Sequence, residues 1–184
     1  MKKNMQQFLW ASVIVAGLFT SCKKDDHDHD HDEEELITTL RVQLTNTTTN
    51  ATQTFTFRDT DGPGGNAPTV DSILIAPNAT FNCSIQVLNE SVTPAEDKTP
   101  EIIREANDHQ FYFITTGTTL AVTNLNNDSR SLPFGLTSTW TTGAAGAAGT
   151  VRIALKHKPG QKAAGDPITK GETDIDVTFG VRVR

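Results

Sequence analysis

The chain has 184 residues, a hydrophobic content of 36% and a formal net charge of -6 at pH 7. This length suits a single domain of ordinary size once the N-terminal segment is set aside. The charge is uneven, because residues 25–35 hold eight acidic side chains while residues 36–184 hold fourteen acids against twelve lysines and arginines. The nearly neutral body lacks the basic surface that nucleic-acid binding requires, so nucleic acid is not an expected partner.

The first residues have the layout of a secretory signal peptide. Lys2 and Lys3 precede an apolar run from Phe8 to Phe19, and small residues lead up to Cys22. The apolar run is too short for a membrane-spanning helix. The sequence therefore predicts three segments: a signal peptide over 1–21, a linker over 22–35 and a folded domain over 36–184.

Cys22 resembles the lipidated cysteine of bacterial lipoproteins, which stands directly after the cleaved signal peptide. Residues 19–21 read Phe-Thr-Ser and depart from the usual Leu-Ala-Gly pattern at the first position, although Leu18 lies one residue earlier. The resemblance implies that diacylglycerol on the Cys22 thiol anchors the chain in a membrane. The alternative is an ordinary signal peptide followed by an incidental cysteine. With Cys22 lipidated, Cys83 is the remaining thiol and no disulfide forms within the mature chain.

Residues 23–35 contain no apolar side chain, so they predict a solvated linker. The acidic run that begins at Asp25 and Asp26 resembles the export signal of lipoproteins on the surface of Bacteroidetes-type bacteria. With the Thr/Asn-rich strands that follow, the whole chain resembles their small β-rich surface lipoproteins. This resemblance implies a lipid-anchored protein of the outer membrane, facing the cell surface or alternatively the periplasm. It implies no activity.

A histidine-rich tract lies within this linker. His27, His29 and His31 alternate with aspartates that include Asp28 and Asp30. Imidazole and carboxylate groups are suitable ligands for zinc and similar ions, so the tract predicts a weak, exchangeable metal site. Apart from this zinc, no cofactor is expected. The alternative is a hydrophilic export signal and spacer in which histidine is tolerated.

From Leu36 onward the apolar residues recur with period two, which is typical of strands with one buried face. Short strands separated by Gly, Pro and Asn turns predict an all-β fold, namely an antiparallel β-sandwich of immunoglobulin-like architecture with one short helix. Cys83 occupies an inward position and is expected to be a small core residue. The last strand alternates most regularly, with Ile175, Val177, Phe179, Val181 and Val183 on one face and Asp174, Asp176, Thr178, Arg182 and Arg184 on the other.

The helix is predicted over 99–110, with Pro100 near its start. On such a helix Glu101, Glu105 and His109 recur at four-residue intervals and share one face. Two carboxylates and an imidazole are suited to a divalent metal or to acid/base chemistry. The alternative is a solvated helix face on which Glu101 pairs with Arg104.

The loop between the last two strands carries Lys156, His157, Lys158, Lys162 and Lys170 around turn residues. Such a loop is expected at one end of the sandwich, where related folds place their binding loops. It suggests contact with an anionic partner, such as lipid headgroups or polysaccharide. Ordinary solubility explains the same lysines.

The predicted function is that of a lipid-anchored, non-enzymatic surface protein whose sandwich binds a protein or glycan partner through its end loops. The alternative is a metal-handling lipoprotein that uses the tract at His27, His29 and His31. An enzyme is not expected, because His109 and His157 are the only histidines of the body and leave few routes to Ser-His-Asp chemistry.

Overall fold

The computed structural model describes residues 36–62, 64–146 and 148–184. The expected signal peptide and the linker therefore lie outside the described residues. Within the described ranges, none of the helical structure has the length and apolar character needed to cross a membrane.

In the described part of the chain, eleven strands and one short helix make up the regular structure. Their bounds are β1 (Thr39–Asn46), β2 (Thr52–Arg58), β3 (Thr69–Val70), β4 (Ser72–Ile75), β5 (Thr80–Asn89), β6 (Glu96–Asp97), α1 (Thr99–Arg104), β7 (His109–Thr116), β8 (Leu120–Thr123), β9 (Thr137–Thr142), β10 (Gly149–His157) and β11 (Glu172–Val183). The strands form two sheets.

The first sheet has the strand order β3-β2-β1-β5-β9-β8, and β6 pairs with β5 beside this path. The second sheet has the order β4-β11-β10-β7. The short strand β4 pairs with β11 in parallel, whereas the other pairings between these strands are antiparallel. The expected all-β sandwich with one short helix is confirmed, and β4 adds one parallel pairing to it.

The inner faces of both sheets form one hydrophobic core. Leu40, Val42 and Leu44 of β1 are fully buried, as their period-two spacing predicts. The indole of Trp140, on β9 of the first sheet, meets the ring of Phe113, on β7 of the second, edge to face at a centroid distance of 6.1 Å. The core cluster runs along the chain from Ile37 to Val183, so residues 36–184 supply their own core.

Cys83 belongs to this core, as expected. Its side chain points inward from β5 and is 3% exposed. Burial raises the pKa of the Cys83 thiol to about 12, so the sulfur stays protonated and unreactive at neutral pH.

The helix is shorter than its sequence pattern predicts. It begins at Thr99 and ends at Arg104, and the chain then turns into β7 at His109. The expected common helix face of Glu101, Glu105 and His109 is therefore wrong. Strand pairing explains the early end, because residues from His109 onward form backbone bonds with β10 and cannot remain helical.

Replacing Trp140 with Ala should lower the free energy of unfolding by about 3 to 5 kcal/mol, because a fully buried aromatic side chain leaves a cavity between the two sheets. Urea unfolding followed by circular dichroism measures this loss. Thr54→Ala, on the exposed face of β2, serves as the control and should change stability by less than about 0.5 kcal/mol. Equal losses of unfolding free energy in the two variants would contradict the burial of Trp140 between the two sheets.

Candidate metal centre

Two histidines lie side by side at one end of the second sheet. His109, the first residue of β7, is directly opposite His157, the last residue of β10. Residues paired in this way point their side chains to the same face of the sheet. The two imidazole rings are stacked at a centroid distance of 4.5 Å with an interplanar angle of 11°, and both residues are buried.

Glu105 completes a group of three side chains that could bind a metal ion. Its position follows from the end of α1, because Glu105 is the C-terminal cap residue and the next turn brings His109 back towards it. Glu105 Oε2 lies 3.9 Å from His109 Nδ1, and the Glu105 side chain is 45% exposed. One ligand atom each from Glu105, His109 and His157 lies within 4.8 Å of the other two. The group is thus buried on the histidine side and open to solvent on the glutamate side.

The imidazole of His109 has an oxygen atom close to each of its nitrogens. Nδ1 lies 3.1 Å from the backbone oxygen of Glu105. Nε2 lies 3.5 Å from Oδ2 of Asp174, a carboxylate whose side chain is fully buried. A neutral imidazole has one N–H and can therefore donate to only one of these oxygens. The lone pair of the other nitrogen then faces an oxygen atom, an unfavourable contact that a metal ion bound to that nitrogen or, at Asp174, a protonated carboxyl group would relieve.

Protonation of the ring is opposed by its surroundings. The pKa of His109 is lowered to about 4, chiefly by burial and in smaller part by the neighbouring His157. The ring is therefore neutral near pH 7. The neutral form is the one that coordinates metal ions. A bound divalent ion would remove the contact between lone pair and oxygen without the cost of charging the ring.

The donor types are those that zinc prefers, and a bound ion would have to draw together ligand atoms that are up to 4.8 Å apart. Zn²⁺ commonly takes imidazole nitrogen and carboxylate oxygen at about 2.0 to 2.2 Å, which places neighbouring donors roughly 3.3 Å apart in a tetrahedron. The 3.9 Å between Glu105 Oε2 and His109 Nδ1 is slightly longer, and the exposed glutamate side chain can close the difference by rotation. Three protein ligands leave a fourth position for water.

The structure brings together two of the three residues predicted as a ligand cluster. Glu105 and His109 meet, whereas Glu101 is engaged with Lys98 at 3.1 Å and with Arg104 at 3.8 Å. Glu101 lies within α1 and His109 lies in a strand beyond it, so the two do not share a helix face.

The remaining predicted site residues lie outside the described residues. They are the lipidation site Cys22 and the tract residues His27, Asp28, His29, Asp30 and His31.

Sequence reasoning missed His157 as a member of the group and assigned it to an exposed lysine loop. The alternation of β10 contains the signal that could have found it. Val151, Ile153 and Leu155 are buried, and His157 continues the same inward series. Asp174 was missed as well, because strand alternation places it on the outer face of β11.

The lysine-rich loop is also different from the expectation. Lys158 is fully buried, and its Nζ donates to Gln110 Oε1 at 2.7 Å and to Tyr112 Oη at 2.8 Å. The Lys162 side chain is fully buried too, and its Nζ lies 2.8 Å from Asp128 Oδ2. These two lysines do not form an anion-binding surface, because their charges are directed inward and paired.

No protein-family model, no curated protein and no solved structure matches the chain. The functional assignment therefore depends on the geometry of this site and on the sequence features of the N-terminal segment.

Lys162→Met should destabilise the fold by about 3 kcal/mol at pH 7, because it removes the ammonium group 2.8 Å from the buried Asp128 carboxylate and leaves that carboxylate with the more distant guanidinium of Arg130, at 4.0 Å. Burial alone would raise the pKa of Asp128, but the bond from Lys162 and two backbone N–H groups lower it below its usual value. The stabilisation is thus present above a pH of about 4 and is lost as the pH falls. The difference between wild type and variant should shrink in acid.

Urea unfolding at several pH values measures this difference. Arg182→Met, on the exposed face of β11, is the matched control and should be nearly neutral at every pH. A difference that stays constant down to pH 3 would contradict the assigned pairing.

Proposed function

We propose that the protein is a lipid-anchored, non-enzymatic component of the cell envelope whose β-sandwich binds a divalent transition-metal ion, with zinc as the expected ion. The observation that carries this proposal is the buried imidazole of His109, which faces an oxygen at each nitrogen and stands beside His157 and Glu105. A cation bound at Nδ1 would satisfy this arrangement, with the N–H of Nε2 directed at Asp174.

The cellular location is proposed from sequence features. Cys22 follows an apolar, signal-like segment, and an acidic run begins at Asp25. Both features suit a lipid-anchored protein at the outer face of the outer membrane. A domain with its own hydrophobic core is suited to work at the end of such a tether.

The metal ligands are proposed to belong to the folded domain rather than chiefly to the tract at residues 27–31. Folding already holds the donors of the domain near one another, so the entropy of ordering them has been lost before a metal ion binds. The tract supplies a second, weaker set of ligands of the same chemical type.

A second function is favoured by an open hollow beside α1, of about 330 Å³. Ile103 and Phe134 form part of its apolar lining, and Asn107, Asn126 and Ser129 supply amide and hydroxyl groups. The lining thus mixes apolar side chains with a larger number of polar and charged ones, a composition suited to a polar ligand with some apolar surface. This hollow supports the binding of a protein segment or glycan through the end loops.

Zinc titration by calorimetry tests the metal proposal. A chain that lacks residues 25–35 should still bind zinc with one-to-one stoichiometry. In that chain Glu105→Gln should weaken binding by at least about 100-fold, because even outer-shell partners of a metal are commonly worth about 10- to 100-fold. Glu105 is partly exposed, so this change leaves the core intact.

Glu101→Gln is the matched control, since it removes the same charge from a residue of α1 that pairs with Lys98. It should leave the zinc affinity unchanged. Complete loss of binding on deletion of residues 25–35 would assign the metal to the histidine tract and contradict a site in the folded domain.

Cys22→Ala should move the protein from the membrane fraction to the soluble fraction, because the thiol that carries the lipid is removed. Immunoblotting of separated fractions measures the change. Cys83→Ala is the matched control and should stay in the membrane fraction, since Cys83 is buried in the core. Membrane retention of the Cys22 variant would show that the anchor has been wrongly assigned.

A further inference from the structure

The side chain of Asp174 is fully buried, and Asp174 lies at a bulge in β11. Leu155 of β10 pairs with Ile175, but the next residue, Lys156, pairs with Thr173. Asp174 is thus the extra residue between two paired positions. An extra residue of this kind shifts the alternation of side chains, and such bulges are frequent where a strand must direct a side chain into a site. The bulge accounts for an aspartate that lies inside the sandwich although strand alternation predicts it outside.

The bulge brings the carboxylate of Asp174 to one side of the His109 ring. Its Oδ2 lies 3.5 Å from Nε2 of His109, slightly beyond an ordinary hydrogen bond. The opposite nitrogen, Nδ1, is the one that faces Glu105 Oε2. Asp174 and Glu105 are therefore on opposite sides of one imidazole. Glu105 can share a metal ion with Nδ1, and the carboxylate of Asp174 can accept a hydrogen bond from the N–H of Nε2.

This arrangement has a general counterpart in metal sites. A histidine that binds a metal through one nitrogen commonly donates the N–H of its other nitrogen to a carboxylate, which determines the tautomer and orients the ring. Hydrogen bonds to an ionised acceptor are roughly twice as strong as those to a neutral one. The carboxylate of Asp174 therefore competes well with the backbone oxygen of Glu105 for the single proton of the ring.

We infer that Asp174 holds His109 in the tautomer with its proton on Nε2, which leaves the lone pair of Nδ1 available to a zinc ion shared with Glu105 and His157. This inference rests on the proposed metal-binding function. Asp174 is a positioning residue, because it acts on the metal through His109 and is not itself a ligand. Without it, the proton moves to Nδ1 and bonds to the oxygen of Glu105, and the ligating atom is blocked.

Two measurements on the chain that lacks residues 25–35 test the inference. This deletion leaves His109 and His157 as the only histidines, and His157→Gln assigns their signals. In the metal-free protein at pH 7.5, nitrogen-15 spectra should show the His109 proton on Nε2. In Asp174→Leu the proton should be on Nδ1, and zinc affinity measured by calorimetry should fall by about 10- to 100-fold.

Asp174→Asn retains an acceptor oxygen without its charge and should give an intermediate affinity. Asp176→Asn is the matched control. Asp176 lies two residues further along β11, and its exposed carboxylate pairs with Arg152. This change should leave the His109 tautomer and the zinc affinity unchanged. Circular dichroism confirms that each variant is folded. If Asp174→Leu does not fold, the inference is tested by the His109 tautomer and the zinc affinity of Asp174→Asn.

Failure of the inference and failure of the proposed function give different results. If the wild-type domain binds zinc and the Asp174 variants bind equally well, Asp174 has no positioning role while the metal function stands. If the wild-type domain binds no zinc, the metal function is wrong. In either case, a His109 proton on Nδ1 in the wild-type, metal-free protein would overturn the inference.

Discussion

The end of the sandwich at which β7, β10 and β11 meet is governed by one constraint, namely that a charged group taken out of water must be paired. Lys158 and Lys162 are buried there, and each has an acidic partner, Asp166 at 3.5 Å and Asp128 at 2.8 Å. An unpaired buried charge costs several kcal/mol, so these contacts determine how the loop over residues 158–171 can lie. Because this loop joins β10 to β11, the same contacts hold the strand ends that carry the histidine cluster.

The close approach of the loop to β10 adds a second requirement. Gly171 has a φ of +81°, and a Cβ at this position would lie 2.3 Å from the backbone oxygen of His157. Only glycine tolerates both the left-handed backbone and this contact. The chain can therefore return into β11 directly beside His157, and the bulge at Asp174 follows three residues later. The positions of the proposed metal ligand His157 and of the proposed positioning residue Asp174 thus depend on this tight turn of the backbone at Gly171.

Parts of the candidate site were predictable from residue spacing. Glu105 and His109 are close in sequence, and they meet although the helix predicted to join them ends at Arg104. His157 was predictable in principle from the inward alternation of β10, but the lysines around it indicated an exposed loop instead. The pairing of His157 with His109 joins residues 48 positions apart in the chain. Only the order of strands in the second sheet determines such a contact.

By itself the sequence determined the all-β class, the presence of one short helix and the buried position of Cys83, because period-two alternation and turn residues are local properties of the chain. The tertiary structure alone decided which residues share the end of the second sheet. Local patterns do not encode strand order, and they cannot anticipate a bulge, which moves one residue across the sheet face and reverses the expected position of Asp174. The inward pairing of Lys158 and Lys162 was hidden as well, because Gln110 and Tyr112 of β7 and Asp128 of a distant loop come close to these lysines only in the folded chain.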